Sequence, residues 1–360
     1  MRAGGLTLNV REAGDGPPLL LINGLGAHAA MWAPVERQLA GFRLISYDSP
    51  GVGDSPTPFP PPSVPMLAAI VDDLLDKLEL SKVDVLGYSF GGAVAQQLAF
   101  RHPNRVRRLV LAATMPGLGA VLGQWMSIAH VSNPLRYYWG SYYERTIGTL
   151  AGGQARSNEA FRRQHGAERL ANRPKLFSYY AQIAALSSWS SLPWLHHIKA
   201  PTLVLTGDDD PLVPPANSFL LASRICRARL HVAPGEGHLL LFDDAGAAHD
   251  LVREFLSAAS IEDSQTWRNG QDVDDVTALA AIRARGIGPL PFGPLHALWR
   301  RRLYPLGTLR DPSKGAERGR SSGGIGFRML AEQGAVTFAA RRPDGRQSGR
   351  SAAEQDAQAQ

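Results

Sequence analysis

The chain alternates short runs of consecutive apolar residues with longer stretches in which apolar positions recur every three or four residues. The short runs are residues 19–22 (Leu-Leu-Leu-Ile), 44–47, 83–86, 109–112, 203–206 and 230–232. Each is continuous rather than alternating, which predicts strands covered by helices on both faces. Helical spacing predicts helices over 66–80, 92–101 and 272–284. Strand then helix, repeated, predicts an α/β protein with a mostly parallel, doubly wound sheet. Such sheets bind ligands at the carboxyl ends of their strands.

The regular order stops near Thr114 and resumes near Ala200. Residues 115–199 form a helix-prone insert rich in Trp, Tyr and Phe, predicted to lie over the strand ends as a helical lid. Most of its aromatic residues are expected in the lid's own core or its seam with the sheet. Trp125, Trp139, Trp189 and Trp194 are candidates for lining a substrate site, because such linings are mostly apolar. The chain therefore divides into a core of 1–114 and 200–258, the lid at 115–199, and a C-terminal extension at 259–310. Beyond 311 the composition is rich in Gly, Ser, Arg, Ala and Gln, which predicts disorder.

With 360 residues, 44% hydrophobic and 19% charged, the chain has the composition of a globular protein with a substantial core. Its net charge of +6 is uneven: residues 261–360 hold 15 Lys/Arg against 11 Asp/Glu. The basicity belongs largely to the tail, and nucleic-acid binding by the main domain is not expected. Arg300-Arg301-Arg302 is a candidate contact for an anionic surface, although a solvated tail accounts for it more simply. The single cysteine, Cys226, excludes an intrachain disulfide and reads as a packing residue. No secretory pattern opens the chain and no apolar run of about 18 residues exists, so no membrane span is expected and a cytoplasmic location is. No metal and no cofactor are expected.

Gly87-Tyr88-Ser89-Phe90-Gly91 joins the 83–86 strand to the 92–101 helix. This G-x-S-x-G spacing, on a strand-to-helix turn, lifts a serine hydroxyl clear of the sheet. A serine needs a positioned base to act as a nucleophile. For such an elbow the partners follow in the order acid, then histidine, after later strands. Asp208-Asp209-Asp210 follows residues 203–206, and His238 stands in a glycine-flanked loop after 230–232. Asp210 is the expected acid, since the chain has by then turned over the strand end. Asp208 and Asp209 are expected to cap the turn or bind water, and a turn role for Asp210 is the alternative. Ser89 would attack, His238 would shuttle the proton and Asp210 would orient the imidazole. The oxyanion donors are expected at the Phe90 amide and at Leu25, in Asn23-Gly24-Leu25-Gly26-Ala27 after the first long strand.

These motifs, in their contexts, resemble the α/β-hydrolase superfamily across residues 1–258. A nearer likeness is to intracellular depolymerases of medium-chain-length poly(3-hydroxyalkanoates). It rests on Asn23-Gly24-x-Gly26-Ala27, with Asn where many relatives have His, Pro50-Gly51-Val52-Gly53 and Gly91-Gly92-Ala93-x-Ala95-Gln96-Gln97. To these are added Leu109-Val110-Leu111-Ala112-Ala113-Thr114, Trp194-Leu195-His196-x-Ile198 and the segment from Pro201 to Leu212. Phe90 departs from the Trp that many of those depolymerases carry after the serine, and the last 100 residues fall outside the likeness. The resemblance implies an intracellular polyester cut at ester bonds to 3-hydroxyacids and oligomers, with the granule surface as partner. A small-ester or lactone hydrolase, or an acyltransferase, would use the same acyl-enzyme. A granule-associated protein without catalysis is the third reading.

Overall fold

The computed structural model describes residues 1–285, apart from Asn172 and Ala245. Its strands are β1 (Arg2–Ala3), β2 (Leu6–Thr7), β3 (Val10–Ala13), β4 (Pro18–Ile22), β5 (Arg43–Tyr47), β6 (Val83–Tyr88), β7 (Val106–Ala112), β8 (Thr202–Gly207) and β9 (Ala228–Ala233). The helices are α1 (Ala33–Gln38), α2 (Val64–Lys77), α3 (Phe90–Arg101), α4 (Trp125–Ser132), α5 (Gly140–Ala151), α6 (Gly153–Ser157), α7 (Glu159–Ala171), α8 (Leu176–Ser187), α9 (Pro215–Arg224), α10 (Ala248–Ser257), α11 (Gln265–Asn269) and α12 (Asp275–Ala284). Seven strands form the main sheet in the order β3-β5-β4-β6-β7-β8-β9. All neighbours are parallel except β3, which pairs antiparallel with β5 at the edge.

The continuous apolar runs are explained by two cores. Leu20, Ile22, Val85, Leu109, Leu111 and Val204 face α2, α3 and α9. Leu19, Leu21, Leu86, Val110, Leu203 and Leu205 face α1 and α10 on the other side. Because side chains alternate between faces, a strand covered on both must be apolar at every position.

Six runs expected as strands are strands. The antiparallel β3 was not anticipated, because Val-Arg-Glu-Ala on an edge leaves half its side chains to water. Helix starts also shift: α2 begins at Val64, α3 at Phe90 directly after the elbow, and α12 at Asp275, where the Asp274 carboxylate accepts the Thr277 N–H at 2.7 Å. Residues 261–284 pack on the core. The Glu254 carboxylate accepts N–H groups of Gln265 and Thr266 at the start of α11, and Leu230 and Gln271 exchange backbone hydrogen bonds at 2.9 Å. The rest of the extension, the Arg300–302 arm and the tail expected from 311 lie outside the described residues. No helix among the described residues is long and apolar enough to cross a membrane.

The strand order places the site. From β4 the chain moves outward to β5, then returns to β6 on the other side of β4. The loops after β4 and β6 therefore diverge from neighbouring strands and open a crevice between them. They carry Leu25 and Ser89.

Candidate active site

Ser89 sits at the apex of the turn between β6 and α3 with φ +51° and ψ −118°, a conformation that costs a non-glycine residue free energy. The surroundings hold it there. Its N–H bonds the Ala112 carbonyl at 2.9 Å, and its carbonyl accepts from Thr114 Oγ1 at 2.6 Å and from the Gly92 N–H at 2.9 Å. Gly91 is required by close approach: a Cβ there would stand 2.1 Å from the Ile22 carbonyl oxygen. That contact sets α3 against the end of β4 and brings the two loops together. A Cβ on Gly24 would lie 3.4 Å from Ser89 Cβ.

His238 Nε2 stands 3.1 Å from Ser89 Oγ, and His238 Nδ1 stands 2.8 Å from Asp210 Oδ2. The Asp210 carboxylate is an acceptor, so Nδ1 carries the proton and Nε2 is left to accept from the serine. Asp210 Oδ1 accepts the N–H groups of Leu212 and Val213 at 2.9 and 2.8 Å, which holds the carboxylate in one orientation. Both Asp210 and His238 are buried. The His238 loop is held from two sides: its carbonyl accepts from Tyr88 Oη at 3.0 Å, and its N–H bonds the Ala151 carbonyl at the end of α5 at 2.6 Å.

The three consecutive aspartates separate into three tasks. Asp208 Oδ1 accepts the Gly235 N–H at 2.7 Å, closing the turn before His238. Asp209 reaches into the insert, accepting from the Gly153 N–H at 2.7 Å and from Arg156 at 2.8 Å. Only Asp210 meets the imidazole. Of the two aspartates expected to cap the turn or bind water, Asp208 closes the turn and Asp209 ties it to the insert. His102 lies elsewhere and pairs with Asp72 at 3.2 Å. Glu236, on the His238 loop, is pushed up to about 7 by burial and by the neighbouring Asp243 carboxyl.

Leu25 and Phe90 flank the serine, Leu25 in the loop after β4 and Phe90 at the first position of α3. Among the described residues, no acceptor takes up either N–H. Phe90 is one of the first helical residues, whose N–H groups have no partner inside the helix. The two donors are thus free to bind an oxygen.

The four tryptophans are not brought together. Trp125 and Trp139 stand on the surface of the insert, 75% and 62% exposed. Trp189 is buried and donates from Nε1 to Gln97 Oε1 at 2.7 Å, and Trp194 stacks on Phe100 with centroids 4.3 Å apart. With a helical rise of about 1.5 Å per residue, Gln97 and Phe100 lie about 12 and 16 Å along α3 from Ser89. Trp189 and Trp194 thus fasten the returning insert to α3, a packing position that corrects the expectation of a pocket lining. Gln96 joins the same seam by accepting from Ser191 Oγ at 2.7 Å.

Sequence reasoning passed over residues of the insert that touch the loop after β4. Tyr137 Oη donates to the Leu25 carbonyl at 3.2 Å, and Gln182 Oε1 accepts the Gly26 N–H at 2.9 Å. No local signal marks either; the contacts span 112 and 156 residues.

Residues 17–245 match the family described as the alpha/beta hydrolase fold. A poly(3-hydroxyalkanoate) depolymerase of Ectopseudomonas oleovorans is 41% identical over 240 residues, spanning 66% of this chain and 84% of that one. A 2-hydroxy-6-oxo-6-phenylhexa-2,4-dienoate hydrolase of Comamonas testosteroni is 31% identical over 260 residues, 69% of this chain and 91% of that protein. Among solved structures, the enol-lactonase from Burkholderia xenovorans superposes with a TM-score of 0.61 at 25% identity, covering 71% of this chain and 98% of the other. The sheet order, the serine elbow between β6 and α3, and the match over most of the described residues agree: this chain belongs to the α/β-hydrolase family.

Proposed function

We propose that the protein is a serine ester hydrolase that cleaves a poly(3-hydroxyalkanoate) to 3-hydroxyacids and oligomers through an acyl-enzyme. The observation that carries the chemistry is the continuous hydrogen-bonded line from Ser89 Oγ through His238 to Asp210. As Ser89 Oγ attacks the ester carbonyl, His238 Nε2 takes its proton, and the buried Asp210 carboxylate stabilises the imidazolium. The carbonyl oxygen becomes an oxyanion held by the Leu25 and Phe90 amides, each donor of this kind being worth about 10²–10³ in rate. When the C–O bond breaks, His238 returns the proton to the departing hydroxyl of the next monomer unit. Water then repeats the sequence on the Ser89 ester and releases the acid.

The polyester substrate is supported by the 41% identity to a depolymerase and by the large apolar side chains that the insert leaves exposed. Trp125, Trp139, Leu118, Leu122, Phe177 and Tyr180 are all exposed there. Exposed large apolar side chains of this kind fit contact with a water-insoluble surface. In this reading residues 115–199 are the lid, Trp125 and Trp139 meet the polymer rather than line a closed pocket, and the protein works on granules in the cytoplasm. The relative at 31% identity favours a second reading, a small-molecule hydrolase using the same serine. Product analysis with polymer emulsions of short and medium side chain, beside aryl esters of increasing chain length, separates the two. Release of 3-hydroxyacids from polymer supports the first; activity confined to acetate esters overturns it.

A further inference from the structure

We propose that Tyr137 and Gln182 are positioning residues for the oxyanion hole, so that the insert is a working part of the catalytic machinery; this rests on the serine-hydrolase reading above. Two consecutive peptide groups stand at the turn of the loop after β4. The Gly24–Leu25 peptide has its carbonyl engaged by the Ala27 N–H at 3.1 Å. The Leu25–Gly26 peptide has its carbonyl held by Tyr137 Oη at 3.2 Å and its N–H held by Gln182 Oε1 at 2.9 Å. Of the four polar atoms in these two planes, the Leu25 N–H is the one that no described residue takes up. Fixing the other three fixes its direction. Gly26, at φ +63°, turns the chain directly after the second plane, and a Cβ there would stand 2.9 Å from the Tyr179 ring.

The anchors are themselves locked. Tyr137 and Gln182 are buried, as are Arg136 and Tyr179. Tyr137 Oη accepts from Arg136 at 3.1 Å and from Arg169 at 3.2 Å, which leaves its single proton for the Leu25 carbonyl. Arg136 also donates to Tyr179 Oη at 2.6 Å, and Tyr179 Oη donates to the Val131 carbonyl. Burial alone would push the Tyr137 phenol up, but the two guanidiniums bring it below the usual tyrosine value, which makes it a stronger donor. Arg136 is buried and Arg169 half-buried, and no carboxylate bonds either among the described residues, so both guanidiniums bear on the Tyr137 phenol.

The test uses Tyr137→Phe and Gln182→Met in the full chain, each keeping bulk while removing one anchor. The measurements are kcat and KM for an aryl butyrate per phosphonate-titrated site, the inhibition constant of an aryl boronate, and the melting temperature. A boronate adduct on Ser89 is tetrahedral and puts an oxygen in the hole, so it reports the donor directly. The expected result is a fall in kcat of about tenfold for each variant, the scale of a misdirected donor, with KM within twofold and boronate affinity falling in step with kcat. Folded variants with kcat and boronate affinity within twofold of wild type, or a loss confined to KM, overturn the proposal. Should Tyr137→Phe fail to fold around Arg136, Gln182→Met decides alone. A wild-type protein that hydrolyses no aryl ester and takes no phosphonate at Ser89 overturns the underlying reading and this one with it, an outcome distinct from active wild type with indifferent variants.

Discussion

Helix α2, against the sheet, and helices α4 and α8 of the insert bury different kinds of residue. In α2 the buried positions are Val64, Leu67, Ala68, Ile70, Val71, Leu74 and Leu75. In α4 only Ser127 of eight residues is buried, while Trp125 points outward. In α8 the buried set is Ser178, Tyr179, Gln182 and Ala185, while Leu176, Phe177 and Tyr180 are exposed. The sheet helices follow the ordinary rule that water drives apolar faces inward. Helix α8 turns Gln182 toward the loop after β4 and leaves Leu176, Phe177 and Tyr180 exposed, whereas α5 of the same insert buries Tyr143, Ile147 and Leu150. Under the proposed function the two regions would divide the work: the sheet loops would carry the bond chemistry, while the insert would meet substrate with its exposed rings and brace the loop after β4 through Tyr137 and Gln182.

The most severe break is at the serine. Ser89→Ala is expected to lower ester hydrolysis by at least about 10⁴-fold with the circular dichroism spectrum unchanged; residual turnover near wild type would remove the sheet from the chemistry. The adjacent aspartates sharpen the division next. Asp210→Asn should cost about 10³–10⁴ in kcat, because an amide favours the wrong imidazole tautomer, whereas Asp209→Ala, which frees the insert from the loop, should cost no more than about tenfold. Steady-state kinetics on both variants checks this, and equal losses would undo the assignment of Asp210.

A smaller effect is expected on the outer face. The double variant Trp125→Ser/Trp139→Ser should hydrolyse a soluble aryl ester at the wild-type rate and lose several-fold, about 3–10 times, on a polymer emulsion. Equal losses on both substrates would mean that these rings serve the soluble reaction too. The mildest effect concerns pH. Glu236 has an ordinary value of 4.5 and is pushed up to about 7 in the fold by burial and by Asp243. The folded protein therefore holds a proton there that the unfolded chain has lost, and stability falls as pH rises through that window. Glu236→Gln keeps the neutral form, so its melting temperature should match wild type near pH 4.5 and exceed it at pH 8. A difference that stays constant with pH would argue against a protonated Glu236.

Much of the fold was legible because a doubly covered strand writes itself as a continuous apolar run, as at Leu19-Leu20-Leu21-Ile22. The edge strand Val10–Ala13 was not, since its pairing depends on β5 and not on its own composition. In the site, Ser89, Asp210 and His238 each follow a strand end, and their order along the chain made them readable. The choice among three adjacent aspartates was settled in space by which carboxylate turns toward Nδ1. Trp189 and Trp194 were misread because an aromatic-rich insert does not announce which rings face the seam.

By itself, then, the sequence determined the alternation of strands and helices, the elbow, and the residue types able to carry nucleophile, base and acid. These are local or periodic properties, encoded within a few residues of where they act. Only the tertiary structure decided that Gly91 must approach the Ile22 carbonyl, that Asp209 grips the insert while Asp210 meets His238, and that Tyr137 and Gln182 hold the Leu25–Gly26 peptide. Those contacts join segments more than 25 residues apart. Their existence depends on the sheet order that brings the ends of β4, β6, β8 and β9 to one edge beneath the insert.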